Sequence, residues 1–401
     1  MGKRMFTIIG AGCLVILVVV MGLYFFTDFG HTPKPGTTNE SKTSASTTST
    51  AAKSSVTSES SEEKATTDKV ANLVAELSTE EKVGQLFLAR VPVENALNDI
   101  QDYHLGGYLL FGRDVEGKTY EEVQSTIAQY QESSEVPMLI AADEEGGTVS
   151  RVSRNSQLVA TPFQSPQALY AQGGWDAITK DTTDKAGILK ELGIDAGLFP
   201  VADVATDPNA FIYDRTIGQD AKGTAEYVTT VVAALKKAQS GSTLKHFPGY
   251  GNNQDSHTDI VTDTRSMAEL EDNDLVPFQA GIDAGVDSIL VSHNIVTAID
   301  DSVPASVSAP VHDLLRKDMG FDGVIMTDDM DMAGLADFMS QEEAGLKALQ
   351  AGNDLILSST YASQIPYVLQ AIEDGEYSEK DLNAAVTRVL NWKEHLGLLA
   401  E

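Results

Sequence analysis

Beyond residue 78 the chain is punctuated by short, mostly apolar runs at residues 85–89, 107–111, 138–142, 198–201, 243–247, 288–291, 323–326 and 354–357. Runs without polar alternation are the pattern of strands covered on both faces, as in a parallel sheet. Between several of them lie stretches of helical period, such as 120–131 and 221–238. Ser78 with Glu81 supplies a capping-box pair ahead of the first run, in which each side chain satisfies the other residue's backbone amide. Strand, helix and strand in regular alternation imply a parallel sheet, and eight such units predict an α/β fold built as a single (β/α)8 TIM-type barrel. A doubly wound open sheet shares this periodicity and is the alternative. Polar groups gather where the runs stop. Asp143, Asp203, Lys245, His246, His293 and Asp328 fall at or just past their C-terminal ends, which is where barrel enzymes keep catalytic groups.

The N-terminal part reads differently. Residues 6–26 carry no charge and are long enough to cross a hydrocarbon core of roughly 30 Å as a helix. Lys3 and Arg4 precede this stretch and Asp28 follows it, which places the N-terminus in the cytoplasm and the remainder outside. A cleaved signal peptide is the rival reading, but the run exceeds an h-region of about 7 to 15 residues and no Ala-x-Ala site ends it. Cys13 after Gly10-Ala11-Gly12 resembles a lipoprotein cleavage site, yet most of the apolar run lies beyond it. The expectation is an uncleaved anchor over 1–27, a Ser/Thr-rich flexible linker over 28–66 and a catalytic domain, expected to be monomeric, over 67–401. Cys13 is the only cysteine, so an intrachain disulfide is excluded. The formal net charge is −31, with the acidic excess beyond residue 66. Such a field repels nucleic acid, which argues against a DNA- or RNA-binding role.

The densest chemistry lies in Lys245-His246-Phe247-Pro248-Gly249-Tyr250-Gly251, followed by Asp255-Ser256-His257. A second concentration is Gly323 to Asp329, where an apolar strand runs into two adjacent carboxylates. Alternation sends the side chains of Asp328 and Asp329 in opposite directions, so only one faces the barrel axis. A carboxylate there, with a proton donor on another loop, is the minimum equipment of a retaining glycosidase. His257 can be that donor, since an imidazole near its ordinary pKa of about 6.5 both gives and takes a proton near neutrality. Asp255 can accept from one ring nitrogen and fix its orientation. A surface His–Asp pair is the plainer alternative. Reading His246, Asp255, His257 and Asp259 as metal ligands is disfavoured, because no His-x-x-x-His or Cys pair with ligand spacing is present.

These residues resemble a known family. Lys245 to His257 is similar to the Lys-His-Phe-Pro-Gly-x-Gly loop, with its Asp-Ser-His ending, of the β-N-acetylhexosaminidases of glycoside hydrolase family 3. Leu314 to Asp331 resembles that family's active-site signature, and Asp143-Glu144-Glu145-Gly146-Gly147 with Arg151 is similar to its sugar-binding loop. The resemblance implies Asp328 as nucleophile, His257 as acid/base and Asp255 as its partner. It further implies Asp143, Arg151, Arg215, Lys245 and His246 as holders of the terminal sugar, Arg215 on the shorter match Asp214-Arg215-Thr216-Ile217-Gly218. Tyr250 stands where these enzymes often have His, and Glu144 where Gln is usual. Many relatives carry a further C-terminal α/β domain, so the expectation is the single-domain type.

The activity so implied is an exo-acting retaining β-N-acetylglucosaminidase that acts on peptidoglycan-derived glycans and needs no metal or organic cofactor. A β-glucosidase or β-xylosidase of the same family and a non-catalytic wall-binding protein are the rivals. Whether phosphate rather than water accepts the glycosyl group stays open, because a neutral His repels an anion less than a carboxylate does.

Overall fold

The computed structural model describes residues 69–251, 253 and 261–399, except the side chains of 333, 334 and 337. The expected anchor and linker, and both His257 and Asp255, lie outside the described residues. Among the described residues no helix is long and apolar enough to cross a membrane.

Seven of the eight apolar runs form strands. They are β1 (Phe87–Arg90), β2 (Gly107–Leu110), β3 (Leu139–Ala142), β4 (Thr243–Phe247), β5 (Ser288–Val291), β6 (Val324–Thr327) and β7 (Ile356–Ser358). All are buried along their length apart from Arg90, as unalternating runs require. The run 198–201 departs from expectation. Leu198 adopts φ 46°, a left-handed conformation that a strand cannot contain, so this segment makes only isolated parallel bridges, Ala141 to Ala196, Ala196 to Gly241 and Val201 to Lys245.

Every pairing in the circuit is parallel. β3, β2, β1 and β7 follow one another in one sheet and β4, β5 and β6 in a second. The bridges through Ala196 and Val201 join β3 to β4, and the bridge Met326 to Leu355 joins the end of β6 to the approach of β7. The ladder therefore returns to its starting strand. A second, two-stranded pair, Thr262–Asp263 with Ile295–Val296, lies outside it.

The connecting helices begin where their sequences place caps. Ser78 and Glu81 form the expected capping box on Thr79–Gln85, Thr119 and Glu122 form another on Tyr120–Ser133, and Asp220 caps Ala221–Ala238. In the last helix Tyr227, Val228, Val231, Val232 and Leu235 are buried, spaced at the helical period that faces one side to the sheet. Close strand packing depends on Gly107. A Cβ there would lie 2.2 Å from the Leu139 carbonyl oxygen.

Candidate active site

The C-terminal strand ends bring charged side chains into one buried network. Lys245, from β4, is 2% exposed and its Nζ lies 2.8 Å from Asp143 Oδ1 and 2.6 Å from Glu145 Oε1. Asp143 follows β3 directly and also meets Arg151 Nη2 at 3.3 Å. Arg215, from the short turn Tyr213–Arg215, grips Glu145 with two donors, Nε to Oε2 at 2.9 Å and Nη2 to Oε1 at 2.7 Å. Lys185, from Pro166–Leu192, donates to the Glu145 carbonyl at 3.0 Å. Two cations and two carboxylates out of water are tolerable only because each has its counter-charge and hydrogen bonds.

Burial by itself pushes the Glu145 carboxyl up, but Arg215 and Lys245 outweigh it and hold the group well below the usual carboxylate range. Burial likewise opposes the charge on Lys245 and Arg215. Asp143 and Glu145 reverse that for the lysine, and Glu145 for the arginine, so both are held above their ordinary values. Glu145, Lys245 and Arg215 are therefore charged at neutral pH.

His246 is set by its neighbours on both sides. Arg215 Nη2 stands 3.1 Å from His246 Nε2. A guanidinium only donates, so Nε2 accepts and the ring proton sits on Nδ1, 2.8 Å from Asp203 Oδ2. Asp203 is fully buried and takes two backbone amides as well, His246 N on Oδ2 and Tyr250 N on Oδ1. Tyr250, fully buried, lays its ring edge-on to His246 and to Phe211, each at 5.0 Å between centroids.

Asp328 follows β6. Its amide donates to the Val291 carbonyl at 2.9 Å and its Oδ1 accepts from Asp329 N at 2.8 Å. The neighbouring carboxylate is committed elsewhere, since Asp329 pairs with Arg90 at the end of β1. Burial pushes the Asp329 carboxyl up to about 7 against the opposing pull of Arg90.

Glu144 turns away from these groups. It is fully buried and accepts from the amides of Arg151, Val152 and Ser153 and from the Ser153 hydroxyl, so it shapes the loop that carries Arg151. That loop also borders a cavity of about 540 Å³ lined by Arg90, Phe111, Arg113, Arg151 and Arg154 among others. The Phe111 ring lies 5.0 Å from the Arg90 guanidinium and 5.5 Å from that of Arg151, at cation–π range.

Of the five residues expected to hold a sugar, Arg151, Asp143 and Lys245 contact one another in turn and Arg215 contacts His246, and Glu145 joins the two groups. Glu145 is the member that sequence reasoning passed over, and Asp203, expected only as a polar group at a strand end, proves to be the acceptor that orients His246. Glu145 stands inside the quoted Asp143–Gly147 motif, and the signal for it was charge balance, because buried Lys245 and Arg215 need a carboxylate beyond Asp143. Nothing local announces the pairing of Arg90 with Asp329.

The chain belongs to glycosyl hydrolase family 3: residues 78–392 match its N terminal domain. A beta-N-acetylglucosaminidase/beta-glucosidase of Cellulomonas fimi is 31% identical over 348 residues, covering 82% of this chain and 60% of that protein. A beta-hexosaminidase of Xanthomonas campestris is 33% identical over 309 residues, covering 75% of this chain and 90% of the relative. Among solved structures, a glycoside hydrolase family 3 beta-N-acetylglucosaminidase from Paenibacillus superposes with a TM-score of 0.76 at 31% identity, covering 81% of this chain and 64% of the other. LpqI of M tuberculosis gives 0.74 at 30% identity, covering 81% and 96%.

Proposed function

We propose that this protein is an exo-acting, retaining β-N-acetylglucosaminidase on a (β/α)8 barrel, with a monomeric catalytic domain tethered outside the cytoplasmic membrane by residues 6–26 and acting on cell-wall glycans. The observation that carries this reading is the buried network of Lys245, Asp143, Glu145, Arg215 and His246 at the C-terminal strand ends. It presents fixed donors and acceptors of the kind that bind vicinal hydroxyls in pairs, and a ring held so is oriented for attack at its anomeric carbon.

The mechanism is double displacement. Asp328 attacks the anomeric carbon while His257, oriented by Asp255, protonates the leaving oxygen. A glycosyl-enzyme intermediate forms, and His257 then takes a proton from water as it attacks the same carbon, releasing the sugar and freeing Asp328. The arginine-lined cavity beside Arg151 is the space open to the rest of the glycan. The names of the Xanthomonas and Paenibacillus relatives support the N-acetylglucosaminide specificity. The Cellulomonas relative's second named activity keeps a β-glucosidase reading in play.

Turnover of p-nitrophenyl β-N-acetylglucosaminide by the protein and by Asp328→Asn tests the reading. The expected result is a loss in kcat of at least about 10³-fold with unchanged thermal stability, and equal turnover in both would remove Asp328 as nucleophile. The p-nitrophenyl β-glucoside run alongside separates the two specificities, and product analysis with and without phosphate identifies the acceptor.

A further inference from the structure

Away from the network just described, the N-terminal ends of β1, β2 and β3 gather a second set of ligating side chains. Glu81 lies on the helix that leads into β1, His104 on the turn that leads into β2 and Glu135 on the segment that leads into β3. One ligand atom from each lies within 4.8 Å of the other two. They border a cavity of about 290 Å³ whose lining includes Gln101, Ser133 and Ser134 but no lysine or arginine. Among the described residues no basic side chain forms an ion pair with Glu81 or Glu135.

We propose that Glu81, His104 and Glu135 bind a divalent transition-metal cation of the Zn²⁺ type. Two of the three ligands are held before any cation arrives. Glu81 Oε2 accepts the Ser78 amide at 2.6 Å within the capping box, which fixes the carboxylate and leaves Oε1 to ligate. His104 ends the helix Ala96–Tyr103 at φ 51°, its carbonyl accepts Gln85 Nε2 at 3.0 Å, and Gly106 N donates to Gly84 O at 2.8 Å. The two segments are so close that a Cβ on Gly84 would meet the His104 carbonyl oxygen at 2.4 Å. Glu135 is exposed and closes the site from a third segment.

The donor set selects the ion. One imidazole nitrogen and two carboxylate oxygens, with water in the fourth position, make a tetrahedral site for Zn²⁺ at about 2.0–2.2 Å per ligand. Ca²⁺ and Mg²⁺ prefer six or more oxygens and gain nothing from the imidazole. Glu81 and Glu135 face one another with His104 as their basic neighbour, a set whose two carboxylates a divalent ion would hold together more strongly than the imidazole alone. The cation would tie together three segments that enter neighbouring strands, at the opposite strand ends from Asp143, Lys245 and Asp328, so its effect falls on stability.

The test is thermal unfolding of the EDTA-treated, dialysed full-length protein against added ZnCl₂. The wild type is expected to gain about 3–4 °C at a concentration a hundredfold above Kd. Glu135→Gln, at an exposed position, is expected to keep its metal-free Tm and lose the gain, and His104→Asn to lose it too. Added Co²⁺ is expected to give the visible absorption of a four-coordinate ion with the wild type and not with Glu135→Gln. Absence of a gain in the wild type, or an equal gain in Glu135→Gln, overturns the proposal.

Discussion

Replacing Lys245 with Met removes the cation that two carboxylates share while keeping most of the side chain's volume. At separations of 2.8 and 2.6 Å each contact is worth on the order of 6 kcal/mol in an effective dielectric of about 20. Most of that is offset by desolvation of the ammonium in the native protein, and what the variant loses is governed by what it leaves behind. Glu145 keeps Arg215 and Asp143 keeps Arg151, but the two carboxylates then face each other with no shared counter-ion. Breaking a buried pair from one side costs about 3–5 kcal/mol. For a domain of this size that is a fall in Tm of about 4–7 °C. If Asp143 and Lys245 hold the sugar, kcat/KM for p-nitrophenyl β-N-acetylglucosaminide drops in parallel by roughly 10²–10³-fold, at about 1.4 kcal/mol per tenfold. Differential scanning calorimetry and steady-state kinetics on the same preparation measure both. The double variant Lys245→Met/Glu145→Gln is expected to recover part of the lost stability, since it removes one of the stranded charges, and little of the lost activity. A Lys245→Met protein within about 1 °C and twofold of wild type would refute the argument that this ammonium is the shared counter-ion.

Glu145 also makes stability depend on pH. Its folded pKa lies below the unfolded value of about 4.3, so the stabilisation is fully present above that value and is lost as pH falls below it. Tm followed between pH 6 and 3 is expected to fall more steeply in the wild type than in Glu145→Gln. Gly107→Ala places a methyl against the Leu139 carbonyl oxygen and is expected to cost about 2–4 kcal/mol by overpacking and strand displacement, read as a lowered urea midpoint. Asp203→Ala leaves the His246 and Tyr250 amides without their acceptor and frees the imidazole to reorient. A loss of about 2–4 kcal/mol is expected, with KM raised more than kcat is lowered, and unchanged kinetics would show that the imidazole's orientation is immaterial.

The strands were legible because burial on both faces leaves a mostly apolar run without polar alternation, a signal that survives in single short segments. β4 and β5 match the apolar runs residue for residue, as does the helix Ala221–Ala238, where Asp220 marks the start and the last turn carries Lys236 and Lys237. The segment at 198–201 misled because apolar composition reports burial and not backbone conformation, and Leu198 takes a left-handed turn inside an otherwise strand-like run. At the site, Asp143, Arg151, Lys245 and His246 stand in contiguous motifs, while the pairings of Asp203 with His246 and of Arg90 with Asp329 join positions far apart in sequence. Glu144 stands where the resembled family usually has Gln, inside the motif expected to bind the sugar. It is instead turned into the loop, with four donors upon it.

Asp203 binds the end of β4 and the first residue of the segment leading toward 255 and 257 with the same carboxylate. The base of that segment is therefore bolted to the floor of the pocket independently of whatever follows Gly251. Exchange of the tip for the equivalent stretch of a relative would leave the foundation undisturbed, which makes this connection a natural grafting point, and under the proposed mechanism such a graft would alter the acid/base step while keeping the sugar-binding network.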